Sequence, residues 1–290
     1  MDERDWLVLQ TLYREKNITK AAQHLYISQP ALTNRLQQLE KEFGVTIVHR
    51  GRRGVQFTPQ GEYLAKCAHD MLSAIQKIKE NVLNMEDNTV GTLRLGVSNF
   101  FTDYKLPNLL KLFKEQYPKV EFKVTTAFSS EIAHLIYGGD VHIGFVRGDY
   151  SWKGQKRPLF EETLCIASKE EIDISKLPEL PRIDYHTDPL LKTAVDHWWS
   201  EHFTQPPLIS IEVDKADTCK KMVVNGLGYA ILPSMILSDV DDLHKIVIET
   251  VDGKPIMRKT WMFFHEESLQ LNIVKAFVDF IENLDFENGI

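Results

Sequence analysis

Apolar residues recur at helical spacing from the first turn of the chain. In WLVLQTLYREKN, Trp6, Leu9, Leu12 and Tyr13 fall on one face and predict a first helix. Thr19 is placed to cap a second, running to about Tyr26. Ser28 is placed to cap a third, with Pro30 tolerated in its first turn because the N–H it lacks has no partner there. Within that third helix Leu32, Leu36 and Leu39 form an i, i+4, i+7 stripe that must face a core. At about 100° per residue, Pro30, Asn34, Gln37 and Lys41 point away from the stripe, flanked by Thr33 and Gln38. Apart from Lys41 at its end, the solvent face therefore carries amides and a hydroxyl rather than Glu and Lys. TIVHRGRRGVQF then alternates as a short hairpin, with Gly51 and Gly54 supplying turn conformations and Arg50, Arg52 and Arg53 at its tip.

A long helix is predicted next. Thr58 caps it, Pro59 occupies its first position, and Leu64, Ala68, Met71, Ile75, Ile78, Val82 and Met85 repeat at alternating spacings of 4 and 3. That is an a/d seam with a polar remainder, the pattern of a two-stranded coiled coil. At 1.5 Å per residue the helix is ~42 Å long, too long to be covered by a small domain before it, so self-pairing into a dimer is expected. Packing against the rest of the same chain is the alternative.

From about residue 89 the period changes. TLRLGVSN (92–99), VEFKVTTA (120–127) and VHIGFVRG (141–148) are apolar strand-like runs separated by helical patterns such as LPNLLKLFKEQY, and a similar block starts near residue 161. Strands alternating with helices predict a parallel α/β sheet, and the final helical run, SLQLNIVKAFVDFIENL, is expected to return to the first block. The chain is thus α/β overall. Residues 1–58 form a winged helix-turn-helix and 59–88 a linker helix. Residues 89–290 form a two-lobed domain, with lobe 1 at about 89–160 and 266–290 and lobe 2 at about 161–265. Open α/β sheets bind ligands at the C-terminal ends of their strands, beside helix N-termini that favour anions. Ser98 and Asn99 close the first strand, Ser129 and Ser130 follow the second, and Arg147 closes the third. Arg258 lies in KPIMRKTWM, and Lys215 and Thr218 stand at the start of the helix carrying ADTCKKM.

Charge changes this picture most. The whole chain carries −7, yet residues 1–58 hold nine basic and six acidic residues, a local +3. The acidity belongs to the C-terminal two thirds. DNA contact depends on a patch within about a Debye length, ~8 Å in physiological salt, so the N-terminal segment can meet phosphate. Gln and Asn suit adenine in the major groove, and Thr offers a hydroxyl and a methyl for thymine. Cys67, Cys165 and Cys219 are widely spaced and read as reduced thiols in small apolar niches. There is no apolar signal region or membrane-length run, so a cytoplasmic location is expected. HWWSEH and HEES miss the spacing of a zinc-binding helix, and GxSxG, P-loop and dinucleotide fingerprints are absent from the sequence. Neither an enzyme nor a cofactor is expected.

AAQHLYISQPALTNRLQQLEKEFGVTIVHRGRRGVQFTPQGEYL resembles the N-terminal signature of LysR-type transcriptional regulators, and the resemblance extends over the whole chain. It implies a double-stranded DNA operator as partner, with Ser28, Gln29, Pro30, Thr33 and Asn34 toward the groove and Arg35, Arg50, Arg52 and Arg53 toward the backbone. Asn34 departs from the Arg or Gln often found at its position. The resemblance also implies an effector domain like a periplasmic binding protein, a homodimer assembling into a homotetramer, and RNA polymerase as a candidate partner. VHIGFVRGDYSWKG and DKADTCKKMVVNGLGYAILPS further resemble the citrate-responsive catabolite control regulators of Gram-positive bacteria. In those relatives, the positions of Ser98, Arg147 and Arg258 hold carboxylates. Paired guanidinium hydrogen bonds suit arginine to that task. After Ser98, however, this chain reads NFFTDYKLP, and Phe100, Phe101 and Asp103 are expected to narrow the site and add negative charge. A regulator with a different effector or none, and a solute-binding-protein-like sensor, stay open as alternatives.

Overall fold

The computed structural model describes residues 1–51, 54–83 and 89–286, and the chain divides into two compact units, 1–86 and 87–290. In the first unit, α1 (Glu3–Glu15), α2 (Ile18–His24) and α3 (Gln29–Phe43) precede a hairpin of β1 (Val48–Gly51) and β2 (Gly54–Phe57), then α4 (Pro59–Leu83). The cap of α2 is Asn17, whose Oδ1 accepts from Lys20 N at 3.0 Å, not the expected Thr19, and the helix stops at His24. Asn17 has the extended backbone an N-cap needs and an oxygen in reach of the first turn. Ser28 caps α3 as expected, accepting from Ala31 N at 3.3 Å, and Leu32, Leu36 and Leu39 are fully buried.

Thr58 caps α4 by accepting from Gly61 N at 3.0 Å while donating to Thr46 O at 2.7 Å. Gly61 has no substitute, because a Cβ there would stand 2.1 Å from the carbonyl oxygen of Ile47. This close approach explains the TPQG run: the helix starts pressed against the hairpin. Leu64, Ala65 and Ala68 then join the core formed by Leu9, Leu12, Leu32, Leu36 and Phe57.

α1 and α3 are joined by a charged contact. Asp5 is fully buried, and its carboxylate receives Arg35 through both Nε and Nη2, the second at 2.7 Å, as well as the Asp2 N–H at 2.8 Å. Burial alone would raise the Asp5 pKa. The Arg35 hydrogen bonds, the Asp2 backbone bond and the Arg35 charge outweigh it and hold the carboxyl below its ordinary value.

The second unit begins with β3 (Gly91–Ser98), α5 (Asn99–Tyr104), α6 (Leu106–Gln116), β4 (Val120–Ala127), α7 (Ser129–Gly138) and β5 (Ile143–Arg147). Next come β6 (Gln155–Ser168), β7 (Pro181–Tyr185), α8 (Pro189–His202), β8 (Leu208–Val213), α9 (Ala216–Val224) and β9 (Ala230–Pro233). β10 (His244–Val247), β11 (Met257–Phe264) and α10 (Asn272–Glu282) complete it. The main sheet runs β10-β6-β11-β5-β3-β4, with β9 on β6; it is mixed rather than parallel as expected, since β3 is parallel to β4 and β5 while β11, β6, β9 and β10 pair antiparallel. α10 packs in the core with Leu93, Leu95 and Val97 of β3, the return predicted from its sequence. Residues 155–163 of β6 pair with β11, while residues 164–168 pair with β9 and β10, so β6 passes from one lobe into the other. The expected lobe boundary at 265 needs correction: β11 pairs with β5 over Thr260–Phe264 and belongs to the first lobe's sheet. No described helix is long and apolar enough to cross a membrane. Cys165 and Cys219 are free and sit in the second lobe's core.

Asp5→Ala should destabilise the protein by about 2 kcal/mol at neutral pH, since it removes charge-assisted bonds at a buried site. A carboxyl held low in the fold contributes fully above its unfolded pKa, near 4, and less as pH falls through the folded value. Urea unfolding at pH 7 and pH 3 should therefore show a gap between wild type and variant that narrows in acid.

Candidate functional site

On α3, Gln29, Pro30, Asn34, Gln37 and Gln38 are exposed and Thr33 is partly so, giving the amide and hydroxyl face read from the sequence. Arg35, expected to face the phosphate backbone, is also engaged within its own domain while its side chain stays 41% exposed. Its guanidinium is spent on Asp5 and, through Nη1, on Gln38 Oε1 at 3.0 Å. Burial of Asp5 requires that partner, so Arg35 ties α3 to α1. Arg52 and Arg53 lie outside the described residues, as does the side chain of Arg50 on β1.

The seam on α4 divides. Leu64 and Ala68 are covered by their own domain, a correction to the coiled-coil assignment, because α1 already lies against this part of the helix. Contact between the two helices reaches as far as Lys79 Nζ, 2.8 Å from Glu3 Oε1. Met71, Ile78 and Val82 are 45%, 62% and 59% exposed, and Ile75 is partly buried. Met85 lies outside the described residues.

The second unit holds a cleft of about 340 Å³ between its lobes, at the low end of small-molecule sites. Ser98, Asn99, Ser129, Arg147, Lys215 and Arg258 line it. Thr218, in the first turn of α9, does not, although Lys215, Ala216 and Asp217 before it do. Four helices start at this cleft, α5 at Asn99, α7 at Ser129, α8 at Pro189 and α9 at Ala216, and their N-terminal N–H groups favour an anion.

Strand register places the charges. Arg147 is opposite Thr260, Thr260 is opposite Phe160, and Arg258 is opposite Glu162. Cross-strand partners share a face, and so do residues two apart on one strand, which puts Arg147, Arg258 and Glu162 on one side of the sheet. Arg147 and Glu162 are both buried and form an ion pair. Glu162 Oε2 also accepts from Met235 N at 3.3 Å. Arg147 lies over the Phe100 ring, 3.6 Å from its centroid, and its backbone N–H donates to Ser129 Oγ at 3.0 Å. Burial and then the like charge of Arg258 pull the Arg147 pKa well below the ordinary arginine value, with Tyr185 and Asp188 opposing. Burial also lowers that of Arg258. Glu162 offsets one of the two positive charges, and the other still favours an arriving anion. Ser98 Oγ is buried without a hydrogen-bond partner beside them.

Phe100 and Asp103 line the cleft as expected, but Phe101 is buried in the core, stacked 4.4 Å from Phe145, and narrows nothing. Burial, then Asp217, raises the Asp103 carboxyl pKa. Residues missed in sequence are Glu162, Tyr104, Tyr185, Asp188 and Asp217. Burial pushes the Tyr185 hydroxyl up to about 12, keeping it a donor. The run IDYHTDP carried a usable signal, a strand followed by Asp-Pro at a helix start, and Asp188 is indeed the N-cap of α8. Glu162 had no such signal because only strand register brings it to Arg147.

Residues 4–62 match the family described as bacterial regulatory helix-turn-helix protein, lysR family, and residues 86–285 match the LysR substrate binding domain. The chain is 42% identical over 282 residues to the uncharacterized HTH-type transcriptional regulator YraN of Bacillus subtilis (strain 168), covering 97% of this chain and 98% of that one. It is 38% identical over 284 residues to YkuM of the same organism, with 97% of each covered. Among solved structures, full-length AphB, the Vibrio cholerae virulence activator, is 15% identical with a TM-score of 0.64, covering 99% of this chain and 100% of that one. Full-length CbnR complexed with target DNA is 20% identical with a TM-score of 0.66, covering 97% and 99%.

Glu162→Ala should leave the Arg147 charge buried without its carboxylate and cost about 3 kcal/mol. The expected reading is a lower urea midpoint for the second unit, with an unchanged transition slope.

Proposed function

The chain belongs to the LysR family of DNA-binding transcriptional regulators, and from that premise we propose that its cleft senses a small carboxylate metabolite, citrate or a related di- or tricarboxylate. The observation that carries this reading is the pair of arginines, Arg147 and Arg258, on one sheet face where helix N-termini converge. Ser98 and Ser129 add hydroxyls at the same end, and the resemblance of Ser98, Arg147 and Arg258 to carboxylate-holding positions supports the finer choice. A smaller or less charged acid is the second reading. Asp103 and Asp217 on the walls and Glu162 on Arg147 favour it, because each opposes added negative charge.

The regulator acts as a homodimer. Met71, Ile75, Ile78 and Val82 form the apolar face that a second α4 covers, shorter than the full seam because Leu64 and Ala68 are already used. Dimers assemble into a tetramer, a reading that rests on family resemblance. α3 of each copy enters one half-site of an operator, as suits a helix-turn-helix, and the solved CbnR complex is of a relative on target DNA. Effector binding changes the spacing or bend of the bound half-sites and, through them, contact with RNA polymerase.

Calorimetry of the full chain against citrate and related acids should show binding that Arg147→Ala and Arg258→Ala each weaken about 100-fold, the cost of a lost charge-assisted pair. Unchanged affinity in both variants rejects the site. Ile78→Glu combined with Val82→Glu should give monomers by sedimentation and about 100-fold weaker operator binding.

A further inference from the structure

Two tyrosines of the first lobe reach carboxylates of the second, and both carboxylates line the cleft. Tyr104, at the end of α5 in the first lobe, donates to Asp217 Oδ1 of α9 in the second lobe at 2.5 Å. Tyr150, after β5 in the first lobe, donates to Asp188 Oδ1 at the start of α8 in the second lobe at 2.6 Å. Neither pair lies on the strands that join the lobes, so both sit where a hinge rotation separates groups. Each is also braced from behind. Tyr104 stacks on Phe100 at 4.8 Å, while Lys220 stands 3.4 Å from the Tyr104 hydroxyl and 2.9 Å from both oxygens of Asp239. Lys220 is also 3.8 Å from Asp217 Oδ1, so the acceptor is held in place. On the other side Asp188 Oδ1 also accepts from Leu190 N at 3.1 Å, which ties it to the α8 backbone.

We infer that Tyr104–Asp217 and Tyr150–Asp188 are paired latches that hold the two lobes together, making both tyrosines positioning residues that set how readily the cleft grips its effector. A hydrogen bond from a phenol to a carboxylate is among the stronger neutral-to-charged bonds, and two of them, on the separate helices α8 and α9 of the second lobe, resist opening together. Breaking a latch lowers the population of closed cleft, and the apparent affinity of any ligand of the closed form falls with that population. The affinity part rests on the cleft being the effector site, whereas the lobe separation does not.

The test uses the full chain with Cys67→Ser, in which Lys111→Cys on α6 and His197→Cys on α8 carry nitroxide labels. Cys165 and Cys219 are buried and stay unlabelled. Labelled chains are diluted with unlabelled ones so that electron–electron distances are read within one chain, without added ligand. A narrow distribution is expected for the parent and a longer, broader one for Tyr104→Phe with Tyr150→Phe, each single variant lying between. Should the double variant fail to fold, the two single variants decide the matter. A distribution unchanged in folded variants overturns the inference. In parallel, citrate affinity should fall about tenfold per latch removed. Distances that shift while no acid binds keep the latches and reject the carboxylate reading. Acids that bind with unmoved distances do the opposite.

Discussion

The pairing of β6 with β11 is the constraint on which the second unit depends. These strands are bonded to each other from Met257–Thr163 to Phe264–Gln155, and β6 then continues into the other lobe to pair with β9 and β10. A fixed register decides which side chains share a face, since a one-residue slip would send Arg258 and Glu162 through the sheet. The cleft's charge, the ion pair of Arg147 with Glu162 and the link from Glu162 to Met235 all follow from it. Helices added on either side then only have to begin at the right edge. Four of them do.

Periodicity made much of the fold legible. The Leu32, Leu36 and Leu39 stripe, the Ser28 and Thr58 caps, the hairpin and the alternation of strands and helices are local properties, and the structure keeps them. What failed was the identity of partners. A heptad states that a face needs covering but not by what, and the core of the first unit, not a second chain, covers Leu64 and Ala68. Likewise Arg35 has the type and position of a phosphate contact, and only the fold reveals Asp5, thirty residues earlier, as its acceptor. In the cleft, strand ends gave Ser98, Ser129 and Arg147, while Glu162 and Asp217 came together through register and lobe packing that no short window contains.

The acidic composition and the DNA-binding role are compatible because charge is partitioned by unit. The +3 of the first 58 residues sits with α3, and the acidic surplus sits in the unit that holds the cleft. Within the cleft the same economy recurs at smaller scale. Cationic groups are concentrated on one sheet face, and the carboxylates are each engaged or placed on the walls. Asp188 accepts from Tyr150 and Asp217 from Tyr104, bonds that orient the two carboxylates without removing their charge.

The commitment of Arg35 to Asp5 also bears on how ions take part in operator binding. DNA association releases about 0.9 condensed cation for each phosphate neutralised, and that release sets how steeply affinity falls with salt. An arginine that keeps a carboxylate of its own domain beside it brings less net charge to that neutralisation. The Asp5 pairing thus makes Arg35 a weaker source of salt dependence than an unpaired arginine of the same exposure would be.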